Sequence, residues 1–267
     1  MRKPVVAGSF YPATEKELLH LVENYINGRQ PTPPIEACAV IVPHAGYIYS
    51  GELAAKTLCS VQIPKTVLLI GPNHTGQGSP VSLSTETWFT PFGSVPVNTN
   101  LADHIVNEHK SIVVDEAAHA NEHSLEVQLP FLQKLQKNLS IVPLTVAHLS
   151  YDNCEEIAEA LSSSILQYGE KTLIVASTDM SHYESRSVAE VKDKLALDAI
   201  ITMDPRTLYS TVHKNKISMC GVIPVVITLL ICKKIGAKKA SLLDYMDSGT
   251  VSGDTDQVVG YAGVIVE

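Results

Sequence analysis

Short apolar runs that alternate with helical segments limit most strongly how this chain can fold. Runs over residues 37–42, 66–70 and 172–177 are long enough only for strands, and they are apolar throughout, as is typical of strands buried on both faces. Helical patterns lie between them, for example over residues 152–168, with Asp152 as the predicted N-cap. The alternation predicts an α/β fold in which helices cover both faces of a mostly parallel sheet.

No long linker rich in Pro, Gly or Ser divides the chain. We therefore expect a single three-layer αβα domain over residues 1–267. Gly28 is predicted to end a first helix over residues 15–27. Residues 81–84 and 93–97 are expected to pair as a hairpin around a tryptophan.

Composition excludes several classes of function. Hydrophobic residues make up 45% of the chain, enough to build a full core, and the formal net charge of -8 disfavours a nucleic-acid partner. The odd number of cysteines, five, and the absence of a C-x-x-C pair favour a reducing compartment. No signal peptide is recognisable, and the longest apolar run, residues 222–232, is too short to span a bilayer. These features predict a cytoplasmic protein that neither crosses a membrane nor binds nucleic acid.

Polar residues directly follow three of the predicted buried strands. Because carboxyl ends of parallel strands share one edge of a sheet, and open α/β sheets bind ligands beyond that edge, these residues are expected to converge. One histidine after a strand is usually an ordinary loop residue, but three at equivalent places favour a site. The residues concerned are His44 and Tyr47 after the first strand, Asn73 and His74 after the second, and Asp179 and His182 after the third.

Cys220 is a further candidate, because it stands directly before an apolar helix predicted to begin at Val222. The helix dipole lowers the pKa of a thiol at such a position and favours the thiolate, which is the form that binds metals. The alternative is a buried and inert thiol. That is the preferred interpretation of the other four cysteines, Cys38, Cys59, Cys154 and Cys232.

Two imidazoles, from His44 and His74, and the Cys220 thiolate would form a metal site with open positions for water or substrate. The related iron pattern uses two histidines and a carboxylate, so Asp179 is an alternative anionic ligand. A thiolate makes the site softer, and iron, copper and zinc all fit it. His182 can act as an acid or base beside the metal, and with Asp179 it forms the predicted catalytic pair.

Another polar segment precedes a predicted helix that begins near residue 124. Glu122 and His123 are expected to orient a metal-bound imidazole from outside the ligand set. An ordinary helix start, with Leu125 and Leu129 facing the core, is the competing interpretation. Tyr47 and Asn73 are expected to line the pocket.

The sequence also bears on reaction classes that need no metal. No G-x-S-x-G elbow is present, which argues against a serine hydrolase, and no phosphate-binding glycine motif occurs. A Cys-His nucleophile pair formed by Cys220 and His182 remains possible on residue types alone.

Six short motifs occur in an order that resembles the Memo family, called AmmeMemoRadiSam system protein B in prokaryotes. The resemblance covers essentially the whole chain. The motifs are Ala7-Gly8-Ser9-Phe10-Tyr11, Pro43-His44-Ala45-Gly46-Tyr47, Gly71-Pro72-Asn73-His74, Glu122-His123-Ser124-Leu125-Glu126, Ser177-Thr178-Asp179-Met180-Ser181-His182 and Met219-Cys220-Gly221.

The resemblance implies a fold akin to that of the class III extradiol dioxygenases, which use non-haem iron. It implies that His44, His74 and Cys220 are the metal ligands and that His182 occupies the position of the dioxygenase acid/base histidine. The family carries a cysteine where the dioxygenases carry a carboxylate ligand. Some animal members continue with Arg-His after Cys-Gly, where this chain has Val222-Ile223.

The expected function is that of a redox-type metalloenzyme that carries one metal ion per chain, with iron preferred and copper or zinc as alternatives. The competing expectations are a non-catalytic adaptor whose pocket binds a peptide or small molecule, and a zinc-dependent hydrolase. The prokaryotic family name further implies a functional link to radical-SAM and Amme-type proteins.

Overall fold

Within the part of the chain that the structure describes, the central sheet has nine strands and a separate hairpin has two. The computed structural model describes residues 1–27 and 33–267. Helices cover both faces of the sheet, and its central strands are parallel, so the predicted α/β fold is confirmed. The predicted helix stop at Gly28 lies outside the described residues.

Polar side chains cap the N-termini of four α-helices in the described residues. Ser150, not the predicted Asp152, caps the longest one by accepting a 3.2 Å hydrogen bond from the Asn153 backbone N–H, and Gly169 ends it in the left-handed conformation at φ 72°. The helices are α1 (Glu15–Ile26), α2 (Glu52–Cys59), α3 (Thr99–Glu108), α4 (Leu129–Leu135), α5 (Tyr151–Tyr168), α6 (Arg186–Ile201), α7 (Pro205–Lys214), α8 (Val222–Lys234) and α9 (Gly249–Ser252).

The strands of the described residues run in sequence as follows. They are β1 (Ala39–Val42), β2 (Thr66–Pro72), β3 (Val81–Leu83), β4 (Trp88–Thr90), β5 (Gly93–Val95), β6 (Val113–Val114), β7 (Ser140–Val146), β8 (Thr172–Ser177), β9 (His182–Glu184), β10 (Ala240–Asp247) and β11 (Val258–Val266). Their order in the large sheet is β10-β11-β1-β8-β2-β7-β3-β6, and β9 pairs with β11.

Four neighbouring strands, β1, β8, β2 and β7, are parallel to one another. Strand β8 lies between β1 and β2, with Val42 paired to Ser177 and Ile70 paired to Ala176. The loops that leave the carboxyl ends of these strands are therefore neighbours at one edge of the sheet, which is where the polar motifs were expected to meet.

The predicted hairpin of residues 81–84 and 93–97 was wrong. Strand β3 instead joins the main sheet beside β7, and the hairpin consists of β4 and β5, with Trp88 paired to Val95. The physical reason is burial. Val81 and Leu83 belong to the main core, whereas Trp88 and Val95 belong to the core on the opposite face of the sheet.

Two apolar cores lie on opposite faces of the sheet. In β1, Ala39 and Ile41 face one core while Val40 and Val42 face the other, as the alternation of side chains in a strand requires. Helices α3, α5, α6, α7 and α8 close the first core, and α1, α2 and α4 close the second. None of the helices in the described parts of the chain is long and apolar enough to cross a bilayer, and even the strongly apolar α8 has 13 residues.

Candidate metal centre

The ends of three parallel strands deliver the first residues of the site. His44, His74 and Asp179 each stand two positions after the last residue of their strand, β1, β2 and β8 respectively. The backbone N–H of His44 donates a 2.8 Å hydrogen bond to Oδ1 of Asp179. The convergence predicted from strand order is thus observed for these residues.

Three histidines from separate segments face one another. The ligand atoms of His44, His74 and His123 all lie within 4.8 Å of one another. The rings of His74 and His123 are stacked with centroids 4.7 Å apart, and His44 meets both rings edge-on. His44 is buried, while the His74 side chain keeps 32% of its surface exposed, so the cluster opens to solvent on one side.

His123 was expected to act from outside the ligand set, but its ring belongs to the cluster itself. Its ring also packs against Phe10, with centroids 4.8 Å apart. Sequence reasoning missed this role because residue 123 does not follow a strand. It precedes a 3₁₀ turn, Glu126–Gln128, that leads into α4.

Glu122 holds the loop after β2 in place. Its buried carboxylate accepts hydrogen bonds from Nδ1 of His74 at 2.9 Å and from the backbone N–H of His74 at 2.6 Å. Burial alone would raise the pKa of Glu122, but the hydrogen bonds from His74 and from the backbone N–H of Ser124 hold that pKa at about 2. The carboxylate is therefore ionised and lies where it can orient the His74 ring.

Cys220 lies against the buried histidine. Its Sγ is 3.3 Å from Nε2 of His44 and accepts a 3.2 Å hydrogen bond from the Asp179 backbone N–H. The expected lowering of the thiol pKa by the helix dipole was wrong. Burial, reinforced by the nearby Asp179 carboxylate, raises the pKa of Cys220 well above its usual range. The thiol thus keeps its proton unless a cation displaces it.

The two predicted catalytic residues differ in environment. Asp179 is buried, and burial raises the pKa of its carboxyl group, although the hydrogen bond from the His44 N–H acts in the opposite direction. His182 is half-exposed, and its Nδ1 lies 2.9 Å from the Ser218 carbonyl oxygen. Because a carbonyl can only accept, Nδ1 carries the proton and Nε2 is the basic nitrogen of His182.

Tyr47 and Asn73 have structural contacts. The hydroxyl of Tyr47 donates a 2.6 Å hydrogen bond to the Val127 carbonyl, and its ring stacks on Phe131 in the core. The Asn73 side chain donates to the Gln77 carbonyl at 2.7 Å and accepts from the backbone N–H of Gly76 at 3.0 Å. Both residues shape loops that carry site histidines.

Sequence reasoning singled out neither Ser177 nor Gln128, which lie beneath His44. The Ser177 hydroxyl is 2.9 Å from Nδ1 of His44 and 3.1 Å from Nε2 of Gln128, and both side chains are fully buried. One feature of the sequence could have pointed to Ser177: it is a polar residue at the last position of a buried strand.

The donor set fits a metal ion. Burial, together with the neighbouring His74 and His123, lowers the pKa of His44 well below its usual value, which keeps this imidazole neutral, as a metal ligand must be. Three imidazoles can hold zinc, copper or iron, and an adjacent thiol can add an anionic sulfur. The His44, His74 and His123 cluster could therefore hold one metal ion.

Comparison with known proteins agrees with the motifs of the sequence. The family model described as Memo-like protein matches residues 2–265. A MEMO1 family protein of Methanosarcina acetivorans is 42% identical, with 100% of this chain and 99% of the relative aligned. MEMO1 family proteins of Aquifex aeolicus and Archaeoglobus fulgidus are both 40% identical, with 99% of this chain and 98% and 99% of the relatives aligned. The chain belongs to the Memo family.

Proposed function

We propose that this protein is a metal-dependent, redox-type enzyme related to the extradiol dioxygenases. The metal would be held by His44, His74 and His123, with Cys220 as an anionic ligand beside His44. The observation that carries the proposal is the convergence of three imidazoles from three chain segments, with ligand atoms within 4.8 Å, around an opening to solvent. Binding sites with an open side admit substrate, unlike closed structural sites.

Iron is the metal that we favour, with copper or zinc as alternatives. The resemblance to non-haem iron dioxygenases supports iron, and so does the Asp179 carboxylate, whose Oδ2 lies 3.9 Å from Nε2 of His44. A bound iron ion would supply the electron transfer to dioxygen that no protein side chain supplies by itself.

The side chains around the cluster have separate tasks in this proposal. His182 takes and returns a substrate proton at Nε2, because its Nδ1 is committed to the Ser218 carbonyl. Asp179 holds the loop that carries His44 through the 2.8 Å hydrogen bond to its backbone. Substrate approaches from the exposed side of His74.

A zinc-dependent hydrolase is a second candidate, because three imidazoles are a ligand set that catalytic zinc uses. Zinc there would lower the pKa of a bound water. Activity toward hydrolysable substrates that is supported by zinc but not by iron would favour this candidate.

A non-catalytic binding module is the third candidate. Ile48 and Tyr183 follow His44 and His182 closely in sequence, and their side chains are 69% and 75% exposed. Exposed apolar side chains beside a polar site suit a peptide or small-molecule ligand.

The experiment that tests the proposal measures dioxygen consumption by anaerobically iron-loaded protein with a panel of catechols. We expect turnover that falls about 100- to 10,000-fold in His182→Asn, the order of effect of losing an acid/base group, and that is unchanged in His20→Asn, a surface control on α1. Absence of consumption with every catechol, in protein that does hold iron, would overturn the enzyme proposal and favour the binding module.

A further inference from the structure

The hydroxyl of Ser177 is the centre of a buried hydrogen-bond network under the candidate metal centre. It donates to the Ser124 carbonyl oxygen at 2.7 Å. It also lies 3.1 Å from Nε2 of Gln128 and 2.9 Å from Nδ1 of His44. All of these side chains are buried, so water does not compete for the hydroxyl, and the proton on each bond follows from the partners alone.

The Pro43 carbonyl oxygen fixes the orientation of the Gln128 amide. Its Nε2 lies 2.8 Å from the Pro43 carbonyl oxygen, and a carbonyl oxygen can only accept. The atom facing Pro43 is therefore the amide nitrogen, and the same nitrogen donates its second proton to the Ser177 hydroxyl oxygen.

The hydrogen bonds of the Ser177 hydroxyl determine which nitrogen of His44 carries the proton. A hydroxyl donates one hydrogen bond and accepts two. The single proton goes to the Ser124 carbonyl, which has none of its own, and one lone pair accepts from Gln128. The remaining lone pair faces Nδ1 of His44, so that nitrogen must carry a proton.

We propose that Ser177 and Gln128 are positioning residues that hold His44 in the tautomer protonated at Nδ1, leaving the lone pair of Nε2 directed at the metal centre. This inference rests on the proposed function, in which Nε2 of His44 binds the metal ion. Nε2 is the nitrogen that lies 3.3 Å from Cys220 Sγ, on the side where a metal would be shared by both residues.

The opposite tautomer would break the network. With the proton on Nε2, the lone pair of Nδ1 would face the lone pair of the Ser177 hydroxyl. The hydroxyl could relieve that repulsion only by turning away from the Ser124 carbonyl, which would then lose its 2.7 Å hydrogen bond.

The network also distinguishes the two strand-end histidines. His74 is oriented by the carboxylate of Glu122, whereas His44 is oriented by a neutral hydroxyl. A neutral partner fixes the direction of the ring without adding negative charge beneath the metal, so the anionic character on that side can come from Cys220.

Nitrogen-15 NMR of the metal-free protein tests the inference directly, since long-range couplings report which ring nitrogen carries the proton. The His44 signals are assigned by their loss in His44→Gln. We expect protonation at Nδ1 in the wild type and in Ser177→Thr, which keeps the hydroxyl. In Ser177→Ala we expect a mixture of tautomers. Ser164→Ala, which removes a buried hydroxyl bonded to the Ala160 carbonyl on α5, should leave His44 unchanged.

Protonation of His44 at Nε2 in the wild type would overturn the inference, and so would an unchanged tautomer in Ser177→Ala. The wild-type spectrum decides even if a variant fails to fold. In parallel, the dissociation constant for Fe²⁺ should rise about 10- to 100-fold in Ser177→Ala and recover in Ser177→Thr. A wild type that binds no metal but shows the Nδ1 proton would contradict the proposed function while supporting the tautomer inference.

Discussion

Glu122 and His74 form a two-point contact between the segment before α4 and the loop after β2. Oε1 of Glu122 lies 2.9 Å from Nδ1 of His74, and Oε2 accepts the backbone N–H of the same residue at 2.6 Å. The carboxylate therefore fixes both the ring and the backbone of His74. It also accepts the backbone N–H of His123 at 2.9 Å, so one buried group connects two of the three histidines in the cluster.

Replacement of Glu122 by glutamine should weaken metal binding. The amide keeps the size of the side chain but removes the negative charge that orients His74, and loss of such a partner typically costs 10- to 100-fold in metal affinity. Titration with Fe²⁺ or Zn²⁺ measures the change. Glu116→Gln is the matched control, because Glu116 accepts from Ser84 and Thr85 rather than from a site histidine. Equal affinities for the wild type and Glu122→Gln would contradict this account.

The same carboxylate should make the fold sensitive to acid. Its pKa is about 2 in the folded protein against 4.5 for the ordinary side chain, so its contribution to stability is present above pH 4.5 and is lost as the pH falls toward 2. Urea denaturation at pH 7 and pH 3 measures this in the wild type and in Glu122→Gln. The difference in unfolding free energy between the two proteins should shrink at pH 3, and a constant difference would be evidence against the shifted pKa.

Arg2 should be essential for stability although it is almost the first residue. It is 4% exposed, forms an ion pair with the buried Glu126, and its guanidinium lies 4.1 Å from the centre of the Trp88 ring. Arg2→Met leaves the Glu126 charge buried without its partner, a change that costs about 3–5 kcal/mol of unfolding free energy.

Urea denaturation of Arg2→Met checks this value. Lys3→Met removes a neighbouring exposed charge and should have little effect. The double variant Arg2→Met, Glu126→Gln should recover part of the loss, because it removes the unpaired charge and keeps an acceptor for the Tyr11 hydroxyl. A loss below about 1 kcal/mol in Arg2→Met would show that the buried ion pair does not have the expected role.

Much of the fold was predictable because a strand that is buried on both faces consists almost entirely of apolar residues. The apolar runs of β1, β2 and β8 are visible in the sequence. The helical segments between them indicate that these strands run parallel to one another. The hairpin was assigned to the wrong segments because three-residue strands such as β3 and β4 carry too few side chains to show which core they enter.

The site was predictable where it depends on strand ends and not where it depends on side-chain contacts. His44, His74 and Asp179 follow strands and could be expected to meet. The ring of His123 lies beside them because an irregular segment of the chain carries it there. Such a segment has no periodic sequence pattern from which its course could be predicted. The pKa of Cys220 could not be anticipated either, because burial of the thiol outweighs the helix dipole, and burial is a property of the assembled fold.

Metal stoichiometry tests the central claim most directly. Protein purified without chelator and reconstituted anaerobically with Fe²⁺ is analysed for metal after removal of the unbound ion, together with His44→Ala, His74→Ala and His123→Ala. We predict one tightly bound ion per wild-type chain, a large loss in each of the three variants, and full retention in the surface control His20→Ala. Near-zero metal in the wild type, or equal metal in the wild type and the three variants, would contradict the account.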